Sequence, residues 1–135
     1  MYKNILVPIA LDHGRDSNQS LKIAKILADE GATITALHVM EEVPSYVAQY
    51  LPAGQIEDNA HQLEKRLKGE LVGLEGVTAK VVSGHAGHAI VEYATRHDVD
   101  CIVVASHRPG LTDFFLGSTA ARVVRHAPCC VHVSR

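Results

Sequence analysis

The stretch Cys101–Arg125, CIVVASHRPGLTDFFLGSTAARVVR, decides how this chain reads. Cys101 to Ala105 is a continuous apolar run, the pattern of a strand buried on both faces. A polar loop containing Pro109 and Gly110 follows. Gly117, Ser118 and Thr119 then stand where a helix begins, ahead of the run Ala120–Val124. The first turn of a helix has backbone N–H groups with no partner inside the helix, and its dipole favours negative charge. A strand, a loop and a helix start in this order therefore suit an anion site, and they equally suit a plain βα connection whose Gly and Ser only turn and cap the chain.

The rest of the chain settles what kind of sheet this strand belongs to. Tyr2–Leu11 carries Ile5-Leu6-Val7 and then Pro8, a short central strand with a proline near its exit, where ladder bonding lapses. Asp12, His13 and Gly14 make a polar turn. Asp16 or Ser17 caps a helix with Leu21, Ala24, Leu27 and Ala28 at helical spacing, and Gly31 ends it. Thr33–Met40 is a second strand. Ser45–Gly54, with Tyr46 and Tyr50, has no period and reads as a mobile loop. Ile56, Ala60, Leu63, Leu67, Leu71 and Leu74 step by four and three, marking one face of an amphipathic helix that runs at least as far as Leu71; Gly73 and Gly76 break it, and its Glu and Lys residues form a solvated face. Val77–Val82 is a third strand. Gly87, Ile90, Val91 and Ala94 line one side of a helix stopping near His97, and Val99–Ala105 is the fourth strand. Pro128 halts the last helix, and Cys129–Val133 is a short fifth strand.

Strict alternation of strand and helix implies an α/β fold: a parallel sheet with helices on both faces and right-handed crossovers. Ligands of such sheets sit beyond the carboxyl ends of the strands, where strand order reverses. With a five-stranded order of 3-2-1-4-5, the reversal lies between the first and fourth strands. The loops after Pro8 and after Ala105 then face each other across one crevice.

Composition bounds the rest. The 135 residues suffice for one domain, 1–135, and 47% hydrophobic with 21% charged residues is an ordinary globular balance. A formal net charge of −2 gives no electrostatic case for nucleic acid. No apolar run approaches a membrane span, and the N-terminus lacks a signal-peptide pattern. Three cysteines, two of them adjacent, do not build a disulfide framework and point to a reducing cytoplasm. Cys129-Cys130 is not a CxxC pair. His85 and His88 share a helix face without a third ligand at tetrahedral spacing, so no metal site is expected. His38 and His132, inside apolar strands, read as structural. There is no GxSxG elbow and no P-loop, so no catalytic residue is assigned.

Three segments carry a family resemblance: KNILVPI at Lys3–Ile9, ALHVMEEVP at Ala36–Pro44, and IVVASHRPGLTDFFLGSTAARVVRHAPCCVHV at Ile102–Val133. With them the whole chain resembles a single-domain universal stress protein, of the subset with an ASHRP loop. The resemblance implies a Rossmann-like, adenine nucleotide alpha hydrolase-like fold and a cytoplasmic, ATP-binding stress-response regulator. AMP or ADP are alternatives to ATP, Mg is an accompanying ion, and at most slow ATP hydrolysis is implied. It places Pro8, Ala10 and Val39 at the adenine, with Val39 offering its backbone. Val104 and Ala105 fall at the strand end, Ser106, His107 and Arg108 at ribose and phosphates, and Gly117, Ser118 and Thr119 at the phosphate chain. Ala105 and Arg108 stand where nucleotide-binding members have glycine, which there gives free φ and close backbone approach. Ala10 stands where they have an aspartate, and Asp12 is the carboxylate offered in its place. The alternative is a nucleotide-free dimeric interaction module whose phosphate space Arg108 has closed. The short apolar edge strand and the resemblance both point to a homodimer through Cys129–Val133, with an unidentified regulatory partner protein.

Overall fold

The computed structural model describes residues 1–11, 18–106 and 116–135. The polar turn Asp12–Gly14, the caps Asp16 and Ser17, and the Pro109–Gly110 loop expected from the sequence fall outside them. So do three of the expected site residues, Asp12, His107 and Arg108.

In chain order the elements are β1 (Tyr2–Pro8), α1 (Asn18–Leu27), β2 (Ala28–Met40), α2 (Ser45–Ala48), α3 (Gln55–Glu70), β3 (Val77–Ser83), α4 (Ala86–Arg96), β4 (Cys101–Ala105), α5 (Ser118–His126) and β5 (Cys130–Ser134). The strands form a parallel five-stranded sheet in the order β3-β2-β1-β4-β5, as the alternating pattern predicts. β1 pairs with β2 on one side, up to Pro8↔Leu37, and with β4 on the other through Ile5↔Cys101 and Leu6↔Ile102.

The period-two alternation of β1 explains the two layers of core. Ile5 and Val7 point to one face, where Leu21 and Ala24 of α1 and Leu67 of α3 cover them. Leu6 points to the other, under Ile90 and Ala94 of α4 and Ala120 and Val123 of α5. Ile5, Leu6 and Val7 are all fully buried, which is why the central strands read as unbroken apolar runs.

Besides β3, which runs one residue further to Ser83, the boundaries differ from the sequence reading in four places. β2 starts at Ala28, not Thr33, because Tyr2 pairs with Ala28 before the regular ladder begins at Asn4↔Thr33. The residues between bulge out of register, and Gly31 sits there at φ 78°, so this glycine shapes an irregular strand start rather than a helix end. Ser45–Ala48 is a short helix that no apolar period announced. β4 begins at Cys101: Val99 is buried, but the chain is still turning there, with Asp98 at φ 52°. β5 lies one residue later than expected, at the edge of the sheet.

The end of the sheet away from the carboxyl termini of the strands is tied by side chains. Asp100 accepts from the backbone N–H of Lys3 at 2.8 Å and of Asn4 at 3.1 Å. Asn4 Nδ2 donates to the carbonyls of His97 at 2.7 Å and Asp98 at 3.2 Å. These bonds lock the start of β1 to the α4–β4 turn. Among the described residues no helix is long and apolar enough to cross a membrane.

Candidate functional site

At the reversal of strand order the carboxyl ends of β1, β2 and β4 and the start of α5 enclose a crevice of about 790 Å³. Of the residues expected at a ligand, Pro8, Ala10, Val39, Val104, Ala105, Ser106, Gly117, Ser118 and Thr119 all line it. Asp12, His107 and Arg108 lie outside the described residues, so their part in the crevice is not described.

Two features of its walls are chemically informative. The first is the edge of β2. The Leu37 carbonyl accepts from the N–H of Ile9 at 2.8 Å, so the peptide groups of Leu37 face β1. Along a strand these groups alternate sides, so those of Val39 face the same way. Regular β1–β2 pairing has ended at Pro8↔Leu37. The N–H and C=O of Val39 therefore point past β1 into the crevice as an adjacent donor and acceptor.

The second is the start of α5. Gly117 is its N-cap residue, at φ −58° and ψ 155°, with no described side chain capping the helix. Those angles are open to any residue, so backbone freedom is not what a glycine supplies here. Its missing side chain matters instead, because the position faces the crevice. The N–H of Gly117 donates to the carbonyl of Ser106 at 2.6 Å, and the Gly117 carbonyl accepts from Ala121 at 2.8 Å. The donors of the first helical turn are therefore the amides of Ser118, Thr119 and Ala120. Ser106, only 2% exposed, fixes this geometry from the other side, its own N–H donating to the Ser134 carbonyl at 2.8 Å. The exit of β4, the end of β5 and the cap of α5 are thus one hydrogen-bonded unit.

Several lining residues escaped the sequence reading. His38 sits half-buried with Nδ1 2.8 Å from the Ile9 carbonyl, so Nδ1 carries the proton. Arg66, on α3, donates from Nη2 to the Leu11 carbonyl at 2.6 Å. Leu63, Ala86, Ile90 and Glu41 complete the walls. No sequence signal isolated Arg66 from the other charges of an amphipathic helix. His38 was expected to be structural, and its bond to Ile9 gives it that role; His132 is instead exposed on β5.

The cysteines lie at the opposite end of the sheet, all three free. Burial pushes the Cys101 thiol up to about 11, and burial raises Cys129 as well. Cys129 packs under α4 and α5, whereas Cys130 stands in register beside Cys101 and hydrogen-bonds Tyr2, whose hydroxyl it pushes up. The adjacent pair therefore faces two ways. His88 meets Glu92 at 3.5 Å on the exposed side of α4. Among the described residues no three His, Cys, Asp or Glu side chains gather to hold a metal ion.

A parallel sheet in this order, helices on both faces and a crevice at the reversal define a doubly wound α/β protein. Comparison with known proteins places it further. The model of the universal stress protein family matches residues 1–135, and the chain belongs to that family. It is 33% identical to universal stress protein A homolog 2 of Coxiella burnetii, over 96% of this chain and 92% of that protein. It is 30% identical to universal stress protein G of Salmonella typhimurium, over the full length of both. Among solved structures it is similar to universal stress protein UspA from Lactobacillus plantarum, with a TM-score of 0.69, 26% identity and 99% and 98% of the two chains covered. Two more distant structures share the fold and carry nucleotides. One is the universal stress protein from Archaeoglobus fulgidus in complex with dAMP, with a TM-score of 0.64, 16% identity and coverage of 99% and 98%. The other is a family member from Arabidopsis thaliana with AMP bound, with a TM-score of 0.61, 18% identity and coverage of 97% and 90%.

Proposed function

We propose that this chain binds an adenine nucleotide in the crevice and acts as a cytoplasmic regulatory protein of the stress response, with ATP, accompanied by Mg, as the ligand. One observation carries the reading: the crevice has a peptide edge at one end and a helix start at the other. The N–H and C=O of Val39 match N1 and the 6-amino group of adenine. The amides of Ser118, Thr119 and Ala120 suit phosphate oxygens, with the α5 dipole behind them. Pro8, Ala10, Val104 and Ala105 line the floor, and Ser106 stands at the ribose. Asp12, His107 and Arg108 belong to the proposed site by their place in the sequence. Relatives holding AMP and dAMP support the class of ligand.

The protein acts as a homodimer through the edge strand β5, which exposes its outer ladder groups. The chain is one domain and works with a regulatory partner protein. No catalytic residue is assigned. The experiment is mass spectrometry of small molecules released from protein purified without added nucleotide. An adenine nucleotide near one per chain supports the reading. Empty protein that also fails to take up ATP or AMP on addition removes it, and binding gained on Arg108→Gly would show that Arg108 closes the site.

A further inference from the structure

Within the proposed nucleotide site, on which this inference rests, nothing so far accounts for Arg66. It stands on α3, one helical step of three from Leu63, and both side chains line the crevice. α3 packs over β2 and β3, whereas α5 packs beside β5, so Arg66 belongs to the Val39 end of the crevice and not to the α5 end. Among the described lining residues it is the one arginine or lysine. Arg66 is exposed on α3, and its guanidinium is held at the β1 exit by a 2.6 Å hydrogen bond from Nη2 to the Leu11 carbonyl. Leu11 is in turn buried in the core under α1 and α3, and His38 holds the Ile9 carbonyl two residues earlier. Arg66 ties the exit of β1 to α3, and His38 ties it to β2. They leave Ala10, which is exposed, turned to the crevice between them.

A planar base docked by one edge on Val39 presents its two faces to the two helical layers. On the α4 side the wall is Ala86 and Ile90, small and apolar. On the α3 side it is Leu63 and the guanidinium of Arg66. Arginine suits this place for physical reasons. The guanidinium is planar and weakly hydrated, stacks on aromatic rings, and keeps an in-plane hydrogen bond while its face stays available. The bond to Leu11 is such a bond.

We infer that Arg66 is a ligand-contacting specificity residue at the base end of the crevice, its guanidinium laid against one face of the purine ring. The charge acts on the base and not on the phosphates, which the α5 end receives. The large π-surface of a purine is favoured over a pyrimidine, and a nucleoside without phosphate gains from the contact as much as a nucleotide does.

The test uses the full chain, labelled with ¹⁵N, and adenosine as the probe. The Nε–Hε resonance of Arg66 is assigned by its loss in Arg66→Lys. It moves upfield as adenosine is added, because a stacked base shields it. Arg66→Met, which keeps the stem over Leu63, weakens adenosine and AMP by the same factor, roughly twofold to thirtyfold, while its melting temperature certifies the fold. Arg66→Lys, with charge but no plane, recovers only part of the loss. An Arg66 resonance that stays still while the Val39 and Ser118 amides respond overturns the inference and leaves the site standing. A loss for AMP without a loss for adenosine also overturns it, assigning Arg66 to phosphate. If no amide of the crevice responds to adenosine or AMP, the nucleotide reading itself fails, and the inference with it.

Discussion

Gly87 sets how closely α4 and α5 approach, and replacing it with alanine tests the packing that shapes the crevice. A Cβ at this position would lie 2.7 Å from Arg122 Cδ, 3.0 Å from Arg122 Cβ and 3.2 Å from Cγ. Carbon atoms pack at about 3.5–4.0 Å, so the side chain of Arg122 must swing away and the helices must part by a few tenths of an ångström. The swing is cheap, but the Cβ of Arg122 moves only with its helix. Overpacking of this kind costs about 1–3 kcal/mol. Against it stands the helix propensity of alanine, worth about 1 kcal/mol over glycine. The net is a loss of about 1 kcal/mol, or about 3–5 °C in melting temperature for a chain of this size. Gly69 in α3 is the control, since its added Cβ meets nothing within 4 Å, and Gly69→Ala gains the propensity without the clash. Scanning calorimetry of both variants reads the difference. Because Ala86 and Ile90 of α4 and Ser118 to Ala120 of α5 line the crevice, Gly87→Ala also weakens AMP binding. A Gly87→Ala protein that melts as high as Gly69→Ala, with unchanged AMP affinity, refutes the claim that this contact fixes the two helices.

Three further outcomes follow from the same structure. Placing proline at Val131 removes a ladder donor from the edge strand, and light scattering should then find monomers; a dimer that persists uses another surface. Leu67→Ala empties a fully buried site between α1, α3 and the sheet and should cost about 2–5 kcal/mol in urea unfolding; a loss under 1 kcal/mol would mean that this layer is loosely packed. Cys101 is held neutral in the folded chain, its pKa raised by burial from 9.0 to about 11. A raised pKa makes the folded state bind more protons than the unfolded one above pH 9, so this contribution to stability is complete below pH 9 and is lost as pH rises through 11. Urea midpoints should fall across that window, and less in Cys101→Ala; equal slopes would exclude Cys101 as the cause.

The architecture was legible because burial on both faces leaves a plain mark. Ile5-Leu6-Val7 and Ile102-Val103-Val104 are apolar without alternation, as only central strands of a covered sheet need to be. The floor of the crevice followed from topology, since the exits of β1 and β4 must face each other once the order is known. What stayed hidden depends on pairs distant in sequence. The start of β2 at Ala28 is set by Tyr2, and nothing local distinguishes Ala28 from the helical positions Leu21 and Ala24 before it. Arg66 carries a crevice role through a carbonyl 55 residues away, while its own neighbourhood reads as a solvated helix face. Gly117 stands at the N-cap of α5, but its φ of −58° suits any residue and its N–H is already given to Ser106, so the backbone freedom expected of this glycine is not used there, and only the lack of a side chain at the crevice wall is left to it.

That last point supplies the most direct measurement of the central claim. Calorimetric titration of ATP and AMP into the wild-type chain and Gly117→Leu separates site from scaffold, because leucine adopts the observed backbone without strain yet fills the approach to the Ser118 and Thr119 amides. The expected result is one nucleotide per chain for the wild type, with heat lost in the variant, which still unfolds cooperatively with a melting temperature a few degrees lower because leucine is a poorer N-cap. Equal affinity in the two proteins, or no heat from either nucleotide with the wild type at millimolar concentration, contradicts a nucleotide site between Val39 and the start of α5.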